Sequence, residues 1–363
     1  MGGMSRRFRA HGQAVIEERP STEAAGVEPG RARQAAEWAA HDWVWIGFPS
    51  HQDLWQDDLE PAREEVAAFA RAVHAEGEGE WVRLVAADPA SAARAKALAG
   101  PGIDVIVEPF GDIWLRDTGP IFLGRGPQRS AKVFRFNGWG GKYELEGDDT
   151  IGSRLAETAD LEAIRHGWVF EGGALDVDGT GLGVTTEQCL LNPNRNPGMT
   201  RDQAEARLRE DLGLERVLWL GEGLVNDHTD GHVDNLARFV GEGRIAIPAP
   251  AGEDDPNIAA YLDAWARARD FGLEIVPLPS PGRLLPPASL GTGGDGEIIP
   301  ASYMNFYIGN AAVVVPLYGA ANDDAAVEAI GALFPGRRAI GLRADHLLSG
   351  GGSFHCISQQ VPK

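Results

Sequence analysis

Ser349-Gly350-Gly351-Gly352-Ser353-Phe354-His355-Cys356-Ile357-Ser358-Gln359-Gln360 lies almost at the end of a 363-residue chain, and the rest of the sequence is read outward from it. Three successive glycines let the backbone adopt φ > 0 or approach another group closely, because no Cβ intervenes. Cys356 follows them at the start of a short apolar–polar alternation, flanked by His355 and by the amides Gln359 and Gln360. A thiol in this setting is a candidate nucleophile, activated by a base supplied from elsewhere in the fold. The plainer alternative, a buried free cysteine packing as a small hydrophobe, stays open on this stretch alone. The chain's other cysteine, Cys189, lies in Thr185-Thr186-Glu187-Gln188-Cys189-Leu190-Leu191, which reads as an apolar strand with an inert thiol.

Glycine-containing corners of the same kind recur upstream. They are Gly111-Asp112-Ile113-Trp114-Leu115-Arg116-Asp117-Thr118-Gly119, Phe170-Glu171-Gly172-Gly173, Asp230-Gly231-His232-Val233-Asp234-Asn235 and Asn305-Phe306-Tyr307-Ile308-Gly309-Asn310. With the last stretch they make five, separated by roughly 50 to 75 residues, and such recurrence is the signature of a propeller or another repeat architecture. Strands and helices alternate between them. His41–Pro49, Trp81–Val85 and Ile103–Val107 read as strands. Helical spacing runs over 59–76, with Leu59, Val66, Phe69, Ala70 and Val73 as the apolar stripe, and further helices are predicted over 90–99, 202–212, 257–271 and 323–333. Residues 1–35 carry no apolar periodicity and read as a disordered extension. No gap in 36–363 resembles a linker, so the expectation is one closed α/β domain.

Net charge is −20, which opposes binding to phosphate backbones and attracts small cations. Two cysteines exclude a disulfide framework and suit a reducing compartment. No apolar run follows Arg6, Arg7 and Arg9, so no secretory leader is expected. The apolar run 311–315 stops at Pro316, far short of a membrane span. A cytoplasmic protein is expected, without nucleic-acid or membrane partners.

The corners carry the chemistry. His232 and Asp234 stand two apart on an expected strand, which would turn both side chains to one face. Such a pair suits a general acid/base beside a charge-recognising carboxylate, although a surface His–Asp pair has the same spacing. His228 and His232, with Asp230 and Asp234, also admit a metal reading, weakened because Thr229-Asp230-Gly231 is poor helix material. Asp117 and Asp234 could clamp a planar cation through paired hydrogen bonds, with Trp114 stacking on its face. Guanidinium is such a cation. Arg116–Asp117 could equally be a structural ion pair, and Glu171 adds one more carboxylate.

These motifs, in this order, resemble the agmatine deiminase family, related to bacterial peptidylarginine deiminases within the guanidine-modifying superfamily. The likeness runs from about residue 36 to the end of the chain. It implies a five-fold pseudosymmetric α/β propeller (a pentein) with the site on its axis. It also implies Cys356 as nucleophile, His232 as general acid/base, Asp117 and Asp234 as guanidinium ligands, and Trp114 and Glu171 as further substrate-binding residues. Neither metal nor organic cofactor is implied. Two departures stand out: Ser353 occupies a position where Asn is frequent, and His228 one where a further acidic residue is common. The expected reaction is hydrolysis of agmatine to N-carbamoylputrescine and ammonia through an amidino-cysteine. The alternatives are deimination of arginine or peptidyl arginine, amidino transfer to an amine on the same fold, non-catalytic binding of cationic metabolites, and a metalloenzyme. The partner expected is a small cationic guanidine, and assembly into a homo-oligomer is compatible with the sequence.

Overall fold

A computed structural model describes residues 32–285 and 298–363. Residues 1–31 of the expected extension lie outside the described residues. Within 32–35, Gln34 bridges Leu123 and the Arg33 carbonyl accepts from Gly124 N, so the paired chain starts before residue 36. That pairing is made by backbone, which composition does not report.

Five sheets are present among the described residues, and they share one local order. In each, a short strand pairs antiparallel with a central strand, which pairs parallel with a third. The sets are Ile121–Leu123, Ser130–Arg135 and Ala163–Val169; Asp176–Val177, Leu182–Thr186 and Arg216–Leu220; Arg238–Gly241, Arg244–Ala249 and Glu274–Pro279; and Tyr307–Ile308, Ala312–Leu317 and Arg338–Arg343. The fifth sheet takes its antiparallel strand from the far end of the sequence. Ser358–Pro362 pairs with His41–Phe48, which is followed outward by Trp81–Ala86 and Asp104–Val107. Parallel neighbours need a crossover, and helices such as Leu59–His74, Pro89–Ala99, Ile258–Phe271 and Asp323–Leu333 supply it.

The helices match the sequence reading closely. Leu59, Val66, Phe69, Ala70 and Val73 are all buried. Arg201–Leu212 is opened by Thr200, whose hydroxyl and Gln203 form a capping box, rather than by Asp202, and it ends on Gly213 at φ 74°.

Each sheet's antiparallel strand is immediately preceded by one of the corners, now seen as a single helical turn or a tight loop. They are Leu115–Thr118, Gly172–Ala174, Val233–Asn235, Tyr303–Asn305 and the loop leading into Ser358. The corners bond to one another in succession. Gly173 N donates to Asp117 Oδ1, Asn305 Nδ2 donates to Asn235 Oδ1, His355 N donates to the Asn305 carbonyl, and Arg116 N returns to the Cys356 carbonyl. Residues distant in sequence are thereby gathered in one place.

Candidate active site

The last corner is held from three directions. Phe354 stacks on Phe69 of helix Leu59–His74, with centroids 4.7 Å apart. Gly351 sits at φ 109°, open only to glycine. Gly350 and Gly352 serve close approach instead. A Cβ on Gly352 would lie 2.5 Å from the Trp114 indole, and one on Gly350 would lie 2.7 Å from Trp55. The indoles of Trp55 and Trp114 stack on each other, and both donate to Asp112, at 3.0 and 2.8 Å. The glycine run thus lets the Cys356 corner pack closely against an aromatic wall.

Cys356 lies at the inner end of a cavity of about 530 Å³, which Asp117, Trp114, Trp139, Tyr143 and His228 also line. Its Sγ accepts from Asn305 Nδ2 at 2.9 Å and stands 3.6 Å from Asp234 Oδ2. Burial, then the charges of Asp234 and Asp117, push the thiol well above its ordinary pKa. In the empty site it is therefore the thiol.

Asp117, Asp234 and His232 meet around Gly173. A Cβ built there would fall 2.6 Å from His232 Nδ1, 2.8 Å from Asp117 Oδ1 and 3.1 Å from Asp234 Oδ2. Only glycine leaves that space clear. Asp117 accepts from Trp139 Nε1 at 2.9 Å and from Gly173 N at 2.9 Å. Burial, then the neighbouring Asp234 and Glu171, raise its pKa. Asp234 is buried too, but against burial His355, whose Nδ1 lies 2.8 Å from its Oδ2, together with His232 and Arg238, lowers its pKa. Asp234 Oδ1 and His232 Nδ1 have no hydrogen-bond partner. Two buried carboxylates, one with an oxygen that has no hydrogen-bond partner among the described residues, make an electronegative space beside His232.

His232 is not on a strand. Asp230 at φ 62° and Gly231 at φ 84° turn the chain, and Val233–Asn235 form a 3₁₀ turn, so convergence with Asp234 arises from the turn and not from period two. His232 Nε2 lies 3.0 Å from Glu171 Oε2 and its Nδ1 lies 3.7 Å from Asp117 Oδ1. Burial alone would lower its pKa, but Asp117 first, with Glu171 contributing, carries it well above the usual value. It is an imidazolium near neutrality.

Glu171, like His232 and Asp234, is not among the residues that line the cavity. Its Oε1 accepts from Arg195 Nε at 2.8 Å, while its Oε2 faces His232 Nε2 and stands 3.7 Å from Cys189 Sγ. Against burial, His232 and Arg195 hold its pKa below the ordinary range. Glu171 thus stands between Arg195 and the Nε2 edge of His232. Cys189 lies in the short helix Glu187–Leu190, capped by Thr186, and not in a strand; a polar cap ended the apolar run that suggested one. The metal reading on His228 is not assembled either. His228 Nδ1 pairs with Tyr143 Oη at 3.0 Å, and Asp230 is taken by Lys142, Asn194 and Arg195. Among the described residues the one group able to gather on a metal is Glu171, Cys189 and His232.

Six participants were not visible as site residues in the sequence. Asn305 reaches the thiol, and Trp139, a non-glycine at φ 53° between Gly138 and Gly140, holds Asp117. His355 joins Asp234 to Glu37, with its Nε2 2.8 Å from Glu37 Oε2. Glu37 in turn binds Arg238 at 2.8 Å, and Arg195 backs Glu171. A tryptophan flanked by glycines is a signal that could have been read. Arg116, the one basic residue inside the motifs, is buried beside Glu37 and the His355 carbonyl and does not face the cavity.

Comparison with known proteins places this geometry in a lineage. The family described as Porphyromonas-type peptidyl-arginine deiminase matches residues 33–362. An agmatine deiminase of Stutzerimonas stutzeri is 37% identical over 351 residues, covering 90% of this chain and 94% of that one. The solved agmatine deiminase of Enterococcus faecalis superposes with a TM-score of 0.85 at 32% identity, over 92% of this chain and 96% of that one. A C. jejuni agmatine deiminase solved with substrate bound gives 0.84 at 27% identity, over 94% and 99%. The chain belongs to the agmatine deiminase family.

Proposed function

We propose that this protein hydrolyses agmatine to N-carbamoylputrescine and ammonia, with Cys356 as nucleophile. The observation that carries the reading is the placing of Cys356 Sγ 3.6 Å from Asp234, at the end of a cavity that Asp117 also lines, with His232 meeting both carboxylates at Gly173. A planar guanidinium bonded to Asp117 and Asp234 would put its carbon against the sulfur. It would also add a positive charge directly beside the sulfur, which favours the thiolate.

With the guanidinium bound, the Cys356 thiol gives its proton to water in the cavity, and the thiolate attacks the guanidinium carbon. His232 gives its proton to the departing nitrogen, the C–N bond breaks and ammonia leaves, so that an amidino-thioether remains on Cys356. His232, now neutral, takes a proton from water, which attacks the same carbon. The C–S bond breaks, the sulfur regains its negative charge, the new hydroxyl gives its proton to water or to the departed ammonia, and the ureido product leaves. Glu171 and Arg195 keep the imidazole aimed, and Asn305 offers its amide to the sulfur. No step calls for a metal or an organic cofactor.

The five like-ordered sheets and their chained corners support a five-fold α/β propeller whose corners meet at the axis. The described residues include no helix long and apolar enough to cross a membrane, and a cytoplasmic enzyme with a small cationic guanidine as its only required partner fits the acidic surface. Ammonia release from agmatine, arginine and a peptidyl arginine, each with and without an added amine, tests the reading. No ammonia from any guanidine would sink it, and a new guanidine formed only with the amine would replace it with amidino transfer.

A further inference from the structure

Cys189 takes no part in this reaction, yet its thiol belongs to a set of donors that the fold has already gathered. Cys189 Sγ, Glu171 Oε2 and His232 Nε2 lie within 4.8 Å of one another, and all three side chains are buried. We propose that these three atoms form an inhibitory site for a thiophilic divalent cation, Zn²⁺ or Cd²⁺, on the edge of His232 that faces away from Asp117.

Geometry, charge and surroundings each support it. Zinc bonds of about 2.0 Å to nitrogen or oxygen and about 2.3 Å to sulfur put neighbouring donors about 3.3–3.7 Å apart. The present separations from Glu171 Oε2 are 3.0 Å to His232 Nε2 and 3.7 Å to Cys189 Sγ, so small side-chain shifts suffice. Coordination displaces the thiol proton as the metal–sulfur bond forms, and the Cys189 thiolate with the Glu171 carboxylate then balances the charge of M²⁺, so no uncompensated charge is buried. A ligating imidazole ordinarily donates its other N–H to a carboxylate, and Asp117 Oδ1 already stands 3.7 Å from His232 Nδ1. Arg195 holds the remaining oxygen of Glu171. Thiolate and imidazole select zinc or cadmium over magnesium or calcium.

Loading this site leaves His232 a neutral, metal-bound imidazole whose remaining Nδ1–H is a far weaker acid than an imidazolium, so the consequence for turnover rests on the reading above, whereas binding itself does not. Because the donors are buried, onset should be slow. The direct experiment titrates full-length Cys356→Ser protein with Cd²⁺ and follows thiolate-to-cadmium absorption in the ultraviolet, with proton release measured in weak buffer. One Cd²⁺ per chain is expected, with proton release as the thiol is deprotonated. The band should vanish in Cys189→Ser/Cys356→Ser, and His232→Ala in the Cys356→Ser background should weaken binding by about 100-fold, a large effect for a metal site. Absence of a band in Cys356→Ser, or its survival without Cys189, overturns the site whether or not agmatine is a substrate. In the otherwise native enzyme, Cys189→Ala should raise the Zn²⁺ concentration for half-inhibition. An unchanged value would put the inhibition on Cys356 and overturn the inhibitory role.

Discussion

Asn305 holds the nucleophile corner from two sides: its Nδ2 donates to Cys356 Sγ at 2.9 Å, while its Oδ1 accepts the backbone N–H groups of His355 and Cys356 at 3.0 and 3.2 Å. The second pair fixes where the sulfur stands. The first favours the sulfur as an anion, in a place where burial and two aspartates oppose one. Asn305→Asp keeps the shape and the acceptor but loses the donor and adds a negative charge. The expected outcome is a fall in kcat/KM of about 10²–10³, the usual cost of a preorganised donor to a developing anion. Thiol alkylation across pH should show the Cys356 pKa pushed higher still; an unchanged titration would remove Asn305 from that role.

Cys356→Ser should abolish turnover and leave thermal stability close to that of the parent, since hydroxyl and thiol differ little in volume. Mass spectrometry of turnovers quenched in acid should find the amidino adduct on the peptide that carries Cys356. An adduct on the Cys189 peptide would contradict the assignment.

Gly173→Ala tests the meeting point of the three polar groups. The added methyl would lie 2.6 Å from His232 Nδ1 and 2.8 Å from Asp117 Oδ1, too close for either to stay in place. Misplacement on that scale costs about 100-fold in rate. A variant that folds normally and turns over at the parental rate would show that these atoms do not have to converge.

Glu171→Gln tests the positioning of His232 through its pH profile. Glu171 contributes to the raised His232 pKa, so the imidazolium persists to higher pH in the parent. Removing the negative charge 3.0 Å from Nε2 lowers that pKa, and the alkaline limb of kcat, where the acid is lost, must move to lower pH. The sign also holds for stability: a raised histidine pKa stabilises the fold most at low pH, and that contribution fades as pH rises through the folded value. A limb that stays put would leave Glu171 a structural partner of Arg195 alone.

The corners were legible because each combines glycine with a polar residue inside otherwise apolar sequence, and those local choices are dictated by close approach. Gly350 and Gly352 are examples, with an indole against each. The helices were legible from the apolar stripe, as Leu59–His74 illustrates. What local pattern could not reveal was pairing over distance. Glu37 looks like the start of structure after a polar extension, yet it meets His355, Arg238 and Arg116 in the core. Glu171 looked like one more pocket carboxylate because nothing near it in sequence announces Arg195 as its partner.

The last prediction concerns the substrate's tail. The cavity is lined by Asp57, Asp58, Asp112 and Asp117, with no lysine or arginine among its described lining residues. The nearby cations are already engaged: Lys142 binds Asp230 and the His228 carbonyl, and Arg195 binds Glu171 and Asp230. Asp112 is held by two indoles and Asp58 by His346 and Ser349, so the acidic character of the entrance is built in. A four-carbon tail ending in ammonium meets attraction there, whereas the carboxylate of free arginine meets like charge that can cost several kcal/mol. Agmatine should therefore exceed arginine in kcat/KM by about 100-fold, equivalent to about 2.7 kcal/mol. Arginine amide, which lacks the carboxylate charge, should fall between them. Asp57→Asn/Asp58→Asn should narrow the gap by slowing agmatine more than arginine. Arginine equalling agmatine in the parent enzyme would mean that the tail is recognised elsewhere and that the acidic entrance does not choose the substrate.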